Sequence, residues 1–216
     1  MVQRAAVLAL VTIICVALSA MPGRAADRPL KIVAFGDSLT AGLGLPADQA
    51  FPAKLQAALK AKGENVVVVN AGVSGDTASA GLARLDWSVP QDADAVIVEL
   101  GANDALRGID PKQTKAALDA ILARLDSRPV PVLLAGMRAP RNMGDDYVRA
   151  FDAIYPALAA AHRVVFYPFF LDGVATDPKL NQSDGIHPSA AGVDVIVTEI
   201  LPRVEELIGR ARAAQK

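Results

Sequence analysis

Five apolar, β-branched runs recur along the chain, at Lys31–Phe35, Asn65–Val69, Asp94–Leu100, Val130–Ala135 and Val164–Tyr167. Each is short and rich in valine, isoleucine and leucine, the pattern of strands covered on both faces. Between them, apolar residues return every three or four positions over Ala50–Lys62, Thr77–Leu85, Pro111–Leu125 and Asp145–Ala160, which predicts helices. Ser189–Arg212 predicts a long amphipathic helix closing the chain, interrupted at Pro202 because proline has no N–H to donate.

Strand and helix alternating at this spacing implies parallel strands joined by right-handed crossovers. The expected fold is α/β: a single three-layer domain, a five-stranded parallel sheet with helices on both faces. No linker, repeat or low-complexity segment divides it. Sheets of this kind bind ligands beyond the carboxyl ends of their strands. The residues that follow each strand are therefore where chemistry is expected.

The start of the chain departs from this pattern. Arg4 precedes an apolar stretch from Ala5 to Ala20, and Gly23-Arg24-Ala25-Ala26 supplies small residues. That arrangement predicts a signal peptide over residues 1–26, cleaved after Ala25 or Ala26, with the domain over 27–216. The apolar stretch falls short of the roughly 20 residues needed to span a bilayer, so stable membrane insertion is not expected. Periplasmic or secreted localisation follows. Cys15 is the single cysteine and lies in this leader, after Ile13 and Ile14 rather than the small residues of a lipidation site. The mature chain then has no thiol for disulfides, nucleophilic catalysis or metal binding. Without Arg4 and Arg24, 20 of the 22 basic residues face 23 acids, and no basic face stands out, so nucleic acid is not an expected partner.

Four segments carry candidate chemistry. Gly36-Asp37-Ser38-Leu39-Thr40 follows the first strand and presents Ser38 at its tip. The same position suits a helix cap, and glycine-flanked turns also cradle anions. The Gly-x-Ser-x-Gly elbow is absent. Asn70-Ala71-Gly72-Val73-Ser74-Gly75-Asp76-Thr77 follows the second strand; Gly75 lets backbone approach a ligand and offers an N–H, while Asp76 reads as a helix cap. Glu99-Leu100-Gly101-Ala102-Asn103-Asp104 follows the third; Asn103 offers a donor that does not titrate, or else a turn holding its own backbone, with Glu99 and Asp104 orienting the loop.

Asp184-Gly185-Ile186-His187-Pro188 precedes the last helix. Three-residue spacing lets the carboxylate reach Nδ1 of the imidazole and leaves Nε2 free to serve another loop. A helix start with Pro188 in its first turn is the plainer use of this segment. A serine hydroxyl is a poor nucleophile unless a base lies in hydrogen-bond reach and a third group fixes that base's tautomer. Only two histidines exist, and His162, after three alanines, reads as a cation at a helix C-terminus. His187 is the candidate base. Neither histidine has a second ligand at metal-binding spacing, so neither metal nor cofactor is expected.

Taken together and in this order, these four segments resemble the SGNH (GDSL) hydrolase superfamily, within it the bacterial exported thioesterase, lysophospholipase and arylesterase branch. The resemblance covers essentially the whole chain after the leader. It implies a flavodoxin-like three-layer fold and a serine hydrolase cleaving carboxylic esters or thioesters through an acyl-enzyme. It implies Ser38 as nucleophile, His187 as base and then acid, Asp184 as orienting carboxylate, and an oxyanion hole of the Ser38 and Gly75 N–H groups with the Asn103 side chain. Arg138–Tyr147 is similar to the loop that borders the acyl site in this branch. One departure is Ala102, where some relatives carry a second glycine.

Leu43, Leu106, Met137 and Met143 lie near the expected mouth and suggest a small-molecule substrate with an apolar acyl or aryl group; ordinary packing is the plainer use of such residues. Carbohydrate acetylester hydrolysis is the alternative within the superfamily, disfavoured by an aromatic content of 5%. A non-catalytic periplasmic binding module would use the same crevice without reaction. A mononucleotide binder would leave Asp184 and His187 without a purpose.

Overall fold

The computed structural model describes residues 28–128 and 130–215, so the leader expected at residues 1–26 lies outside them. Five strands form one parallel sheet: β1 (Leu30–Gly36), β2 (Val66–Gly72), β3 (Ala95–Glu99), β4 (Val132–Ala135) and β5 (Val165–Tyr167), in the spatial order β2-β1-β3-β4-β5. The inner strands β3 and β4 are buried at every position, as runs covered on both faces require. β2 lies at an edge and alternates between buried and exposed over its first residues.

Helices cover both faces. α2 (Phe51–Ala61) and α8 (Ala190–Ala214) pack together on one, and α3 (Ala78–Ser88), α5 (Pro111–Asp126) and α7 (Ile154–His162) on the other. Short helices α1 (Ser38–Ala41) and α4 (Ala102–Leu106) begin directly after β1 and β3, and α6 (Asp145–Asp152) precedes α7. From β1 the chain passes to β2 on one side, then returns past β1 to β3 on the other. The carboxyl ends of β1 and β3 thus meet where the strand order reverses, the place where such sheets form a crevice.

Several boundaries differ from the expected ones for identifiable reasons. The helix expected over Asp145–Ala160 is divided at Ala153, since Pro156 withholds the N–H that would bond the Asp152 carbonyl. The closing helix is not interrupted at Pro202. Pro202 and Thr198, whose carbonyl loses its helical partner, are both exposed, so the freed carbonyl lies on the solvent side and the helix continues. β2 continues through Asn70-Ala71-Gly72, where a loop was expected, pairing Gly36 with Gly72. A Cβ on Gly72 would lie 2.3 Å from Ala41 N and 2.8 Å from Asp37 O, so only glycine lets β2 run this close to the α1 turn.

The core reaches up beneath the crevice. Phe51 of α2 meets Phe170 edge-on at 5.0 Å between ring centroids, tying one helical layer to the segment after β5. On the other face Phe151 packs between Tyr147 and Tyr155, and Tyr155 Oη donates to the Leu100 carbonyl at 2.9 Å. Gly101 has φ +114°, and a Cβ there would lie 2.1 Å from Tyr155 Oη. This buried tyrosine therefore sets the height at which Asn103 leaves the sheet.

Candidate active site

Ser38 is the first residue of α1, and the helix is capped by Asp37, whose Oδ1 accepts from Leu39 N at 3.0 Å. With the acid doing the capping, the neighbouring hydroxyl is left for other work. Ser38 Oγ lies 2.9 Å from His187 Nε2, across 149 positions of sequence. His187 Nδ1 lies 2.6 Å from Asp184 Oδ2. A carboxylate only accepts, so Nδ1 carries the ring proton and Nε2 is free to accept from Ser38.

The Asp184 turn is held by its other oxygen. Oδ1 accepts from the backbone N–H of Ile186 at 2.9 Å and of His187 at 3.0 Å, with Gly185 at φ +69° allowing the turn to close. These donors, the His187 N–H first and its ring next, hold the Asp184 carboxyl down at about 2. Gln182 then joins this late loop to the early one: its Nε2 donates to the Leu43 carbonyl at 2.7 Å and to the Pro188 carbonyl at 3.0 Å.

Asn103, on α4, donates through Nδ2 to Asp37 Oδ2 at 3.1 Å and to the Asp76 carbonyl at 3.0 Å. Both partners are acceptors, which fixes the orientation of the amide. Among the described residues the N–H groups of Ser38 and Gly75 have no hydrogen-bond acceptor. The Gly75 carbonyl accepts from Arg107 at 2.9 Å. Ser38, Asn103, Asp184 and His187 are thus brought into one connected group, and Gly75 joins it through the Asp76 carbonyl.

Two features beneath the group were not legible as functional in the sequence. The first is a buried carboxylate pair. Glu99 Oε2 accepts from Thr40 Oγ1 at 2.8 Å and from Asp37 N at 3.4 Å, while Oε1 has no partner among the described residues. Burial, and then the charge of Asp37, push Glu99 well above the usual carboxylate range. Burial also pushes Asp37 up to about 6, against hydrogen bonds from Leu39 and Asn103 that lower it. Gly36 permits the close approach: a Cβ there would lie 2.1 Å from Thr40 Oγ1 and 2.6 Å from the Glu99 carbonyl.

The second is Arg84. Its Nε donates to Asp76 Oδ2 at 2.5 Å, Nη1 to the Ala71 carbonyl at 2.9 Å, and Nη2 to the Gly36 carbonyl at 2.8 Å. The guanidinium also lies 4.4 Å over the Phe35 ring. One buried cation thus ties the ends of β1 and β2 to the loop that carries Gly75. Asp76 is accordingly not the helix cap expected from sequence; Thr77 caps α3, its side chain accepting from Ala80 N. The available signal was the spacing of Arg84 with Ala78, Gly81 and Leu85, which puts a charge on the buried stripe of α3.

The remaining expectations sort as follows. Asp104 accepts from Ala78 N and Thr114 Oγ1, so it joins α3, α4 and α5. His162 ends α7 and pairs with Asp119 of α5 at 2.7 Å. A cleft of about 520 Å³ opens beside Ser38 and His187. Leu106 and Met137 line it, with Ala139, Phe169, Leu171 and Ile186. Leu43 and Met143 do not: Leu43 is exposed outside it, its carbonyl held by Gln182, and Met143 packs near Gly108. Among the described residues no group of three His, Cys, Asp or Glu side chains is placed to hold a metal ion, and no helix is long and apolar enough to cross a membrane.

Comparison with known proteins agrees with this geometry. Residues 34–195 match the GDSL-like lipase/acylhydrolase family. The chain is 38% identical over 195 residues to esterase TesA of Pseudomonas aeruginosa, covering 90% of this chain and 96% of that one. It is 40% identical over 178 residues to thioesterase 1/protease 1/lysophospholipase L1 of Escherichia coli strain K12, covering 82% and 84%. Among solved structures, the SGNH-hydrolase family esterase AlinE4 superposes with a TM-score of 0.71 at 46% identity, covering 83% of this chain and 96% of that one.

Proposed function

Because the chain belongs to the GDSL-like lipase/acylhydrolase family and is an SGNH hydrolase of ester or thioester bonds, we propose that Ser38 is its nucleophile. His187 is the base that serves it, and Asp184 orients the imidazole. The observation that carries the reading is the 2.9 Å contact between Ser38 Oγ and His187 Nε2, backed by the 2.6 Å contact between Nδ1 and Asp184. Geometry of this kind is how a serine is activated at neutral pH.

Ser38 Oγ attacks the carbonyl carbon while its proton passes to His187 Nε2. The carbonyl oxygen becomes an oxyanion facing the Ser38 and Gly75 N–H groups and the Asn103 amide. Both Asn103 hydrogens are engaged in the free protein, so one contact, to Asp37 Oδ2 or to the Asp76 carbonyl, yields to the oxyanion as it forms. Collapse of the intermediate breaks the bond to the alcohol or thiol, which takes the proton from Nε2. Water then attacks the acyl-enzyme with the same proton path, releasing the acid and restoring Ser38.

The substrate is a small-molecule ester or thioester, and the apolar wall of Leu106, Met137, Phe169 and Leu171 suits an acyl or aryl group. Residues 1–26 act as a cleaved signal peptide and deliver residues 27–216 to the periplasm or beyond. A fluorophosphonate probe followed by peptide mapping tests the chemistry. The adduct is expected on Ser38, with labelling lost in His187→Ala. An unlabelled Ser38 in folded, wild-type protein would favour a binding module without catalysis.

A further inference from the structure

We propose that Arg138 is an anion-recognition residue of this cleft, favouring ester or thioester substrates that carry a second, negatively charged group, a phosphate or a carboxylate. The proposal rests on the hydrolytic reading of the Ser38 cleft and narrows its substrate class. Among the side chains lining the cleft are two arginines, Arg138 and Arg141, and no carboxylate. The whole chain carries a formal net charge of −1, so positive charge on this wall of the cleft is a local feature rather than a reflection of overall charge.

The two arginines are not equivalent. Arg141 Nη1 pairs with Asp152 Oδ2 at 2.9 Å. Asp152 Oδ1 accepts from the Ala139 N–H at 2.9 Å, so both oxygens of the nearby acid are engaged. Arg138 makes no ion pair among the described residues. Its guanidinium lies 4.7 Å over the Phe169 ring, and Phe169 itself lines the cleft. The neighbours Met137 and Ala139 are buried, which holds the backbone from which Arg138 projects.

This combination is what oxyanion recognition needs. Contact with the ring face restricts a flexible side chain, while the guanidinium N–H groups, with no acceptor among the described residues, remain for a partner beyond the ring. A phosphate or carboxylate accepts two of those N–H groups side by side. An uncharged ester gains nothing comparable. The cleft thereby discriminates by charge at one point and by apolar contact along the rest of its wall.

The test compares matched substrates with wild type, Arg138→Gln and Arg138→Lys. On the acyl side the pair is p-nitrophenyl hydrogen adipate and its methyl ester; on the leaving-group side it is hexanoyl-coenzyme A and S-hexanoyl-N-acetylcysteamine. In Arg138→Gln the ratio of kcat/KM for the charged over the neutral member is expected to fall about tenfold in at least one pair, the size of one charge-assisted contact. Arg138→Lys should retain part of it, and added salt should weaken the wild-type preference. A fall confined to the adipate places the anion on the acyl portion, and one confined to the coenzyme A thioester places it on the leaving group. Unchanged ratios in both pairs overturn the proposal. Failure of wild type to turn over any of the four substrates would instead strike the hydrolytic reading beneath it.

Discussion

Replacing Asp37 by asparagine offers a direct measurement of the strain stored beside Ser38. The native carboxyl keeps its proton up to about 6, whereas an unfolded aspartate releases it near 3.8. Between those values the folded protein binds more protons than the unfolded one, so its stability falls as pH rises. The contribution is whole below the unfolded value and gone above the folded one. At about 1.4 kcal/mol per pH unit it amounts to about 3 kcal/mol, most of it lost between about pH 4 and pH 7. Urea unfolding of wild type and Asp37→Asn across that window reads it directly. Asparagine has one acceptor where Asp37 uses two, for Leu39 N and Asn103 Nδ2. That defect shifts the whole curve but not its slope. Burial, the larger cause of the Glu99 shift, is present in both proteins and drops out of the comparison, whereas the part due to the Asp37 charge is lost in the variant and steepens the wild-type fall in the same direction. Wild type should therefore lose stability relative to the variant by about 2–3 kcal/mol as pH rises. Parallel curves would refute the reasoning.

Three further outcomes test the site. Asp184→Asn should lower kcat by roughly 10⁴, as loss of the group that fixes a catalytic tautomer does. Because the Asp184 carboxyl is held at about 2 by N–H donors, the wild-type pH–rate profile should show no break from it above about pH 3. Asn103→Ala should cost on the order of 10²–10³ in kcat, the loss of one oxyanion donor, with a smaller change in KM. A mild effect on kcat would remove Asn103 from the hole.

The parallel sheet was legible because each strand is a short apolar run and each helix keeps its period. The residues that the structure gathers beside the cleft were legible because they lie in four compact segments, three of them at the ends of strands. What escaped reading was set by distant neighbours. Nothing local announces that Asp37, rather than Ser38, caps α1, since both are good capping residues. The burial of Arg84 depends on three carbonyl and carboxylate partners from separate segments. Pro156 divides a helix while Pro202 does not, and the difference lies in where each falls: Pro156 in the first turn after Ala153, Pro202 on an exposed face with water at hand. Leu43 was read as apolar lining, yet its carbonyl is the part that matters, held by Gln182.

That Gln182 latch has a bearing on biosynthesis. Every strand of the sheet precedes it in the chain, but α8, which covers one face of that sheet, follows it. The hydroxyl becomes reactive only when the last loop docks and the carboxamide clasps the Leu43 carbonyl. A polypeptide interrupted before that point would lack both the imidazole and the helix that seals the sheet, so a shortened product would lose its scaffold together with its chemistry.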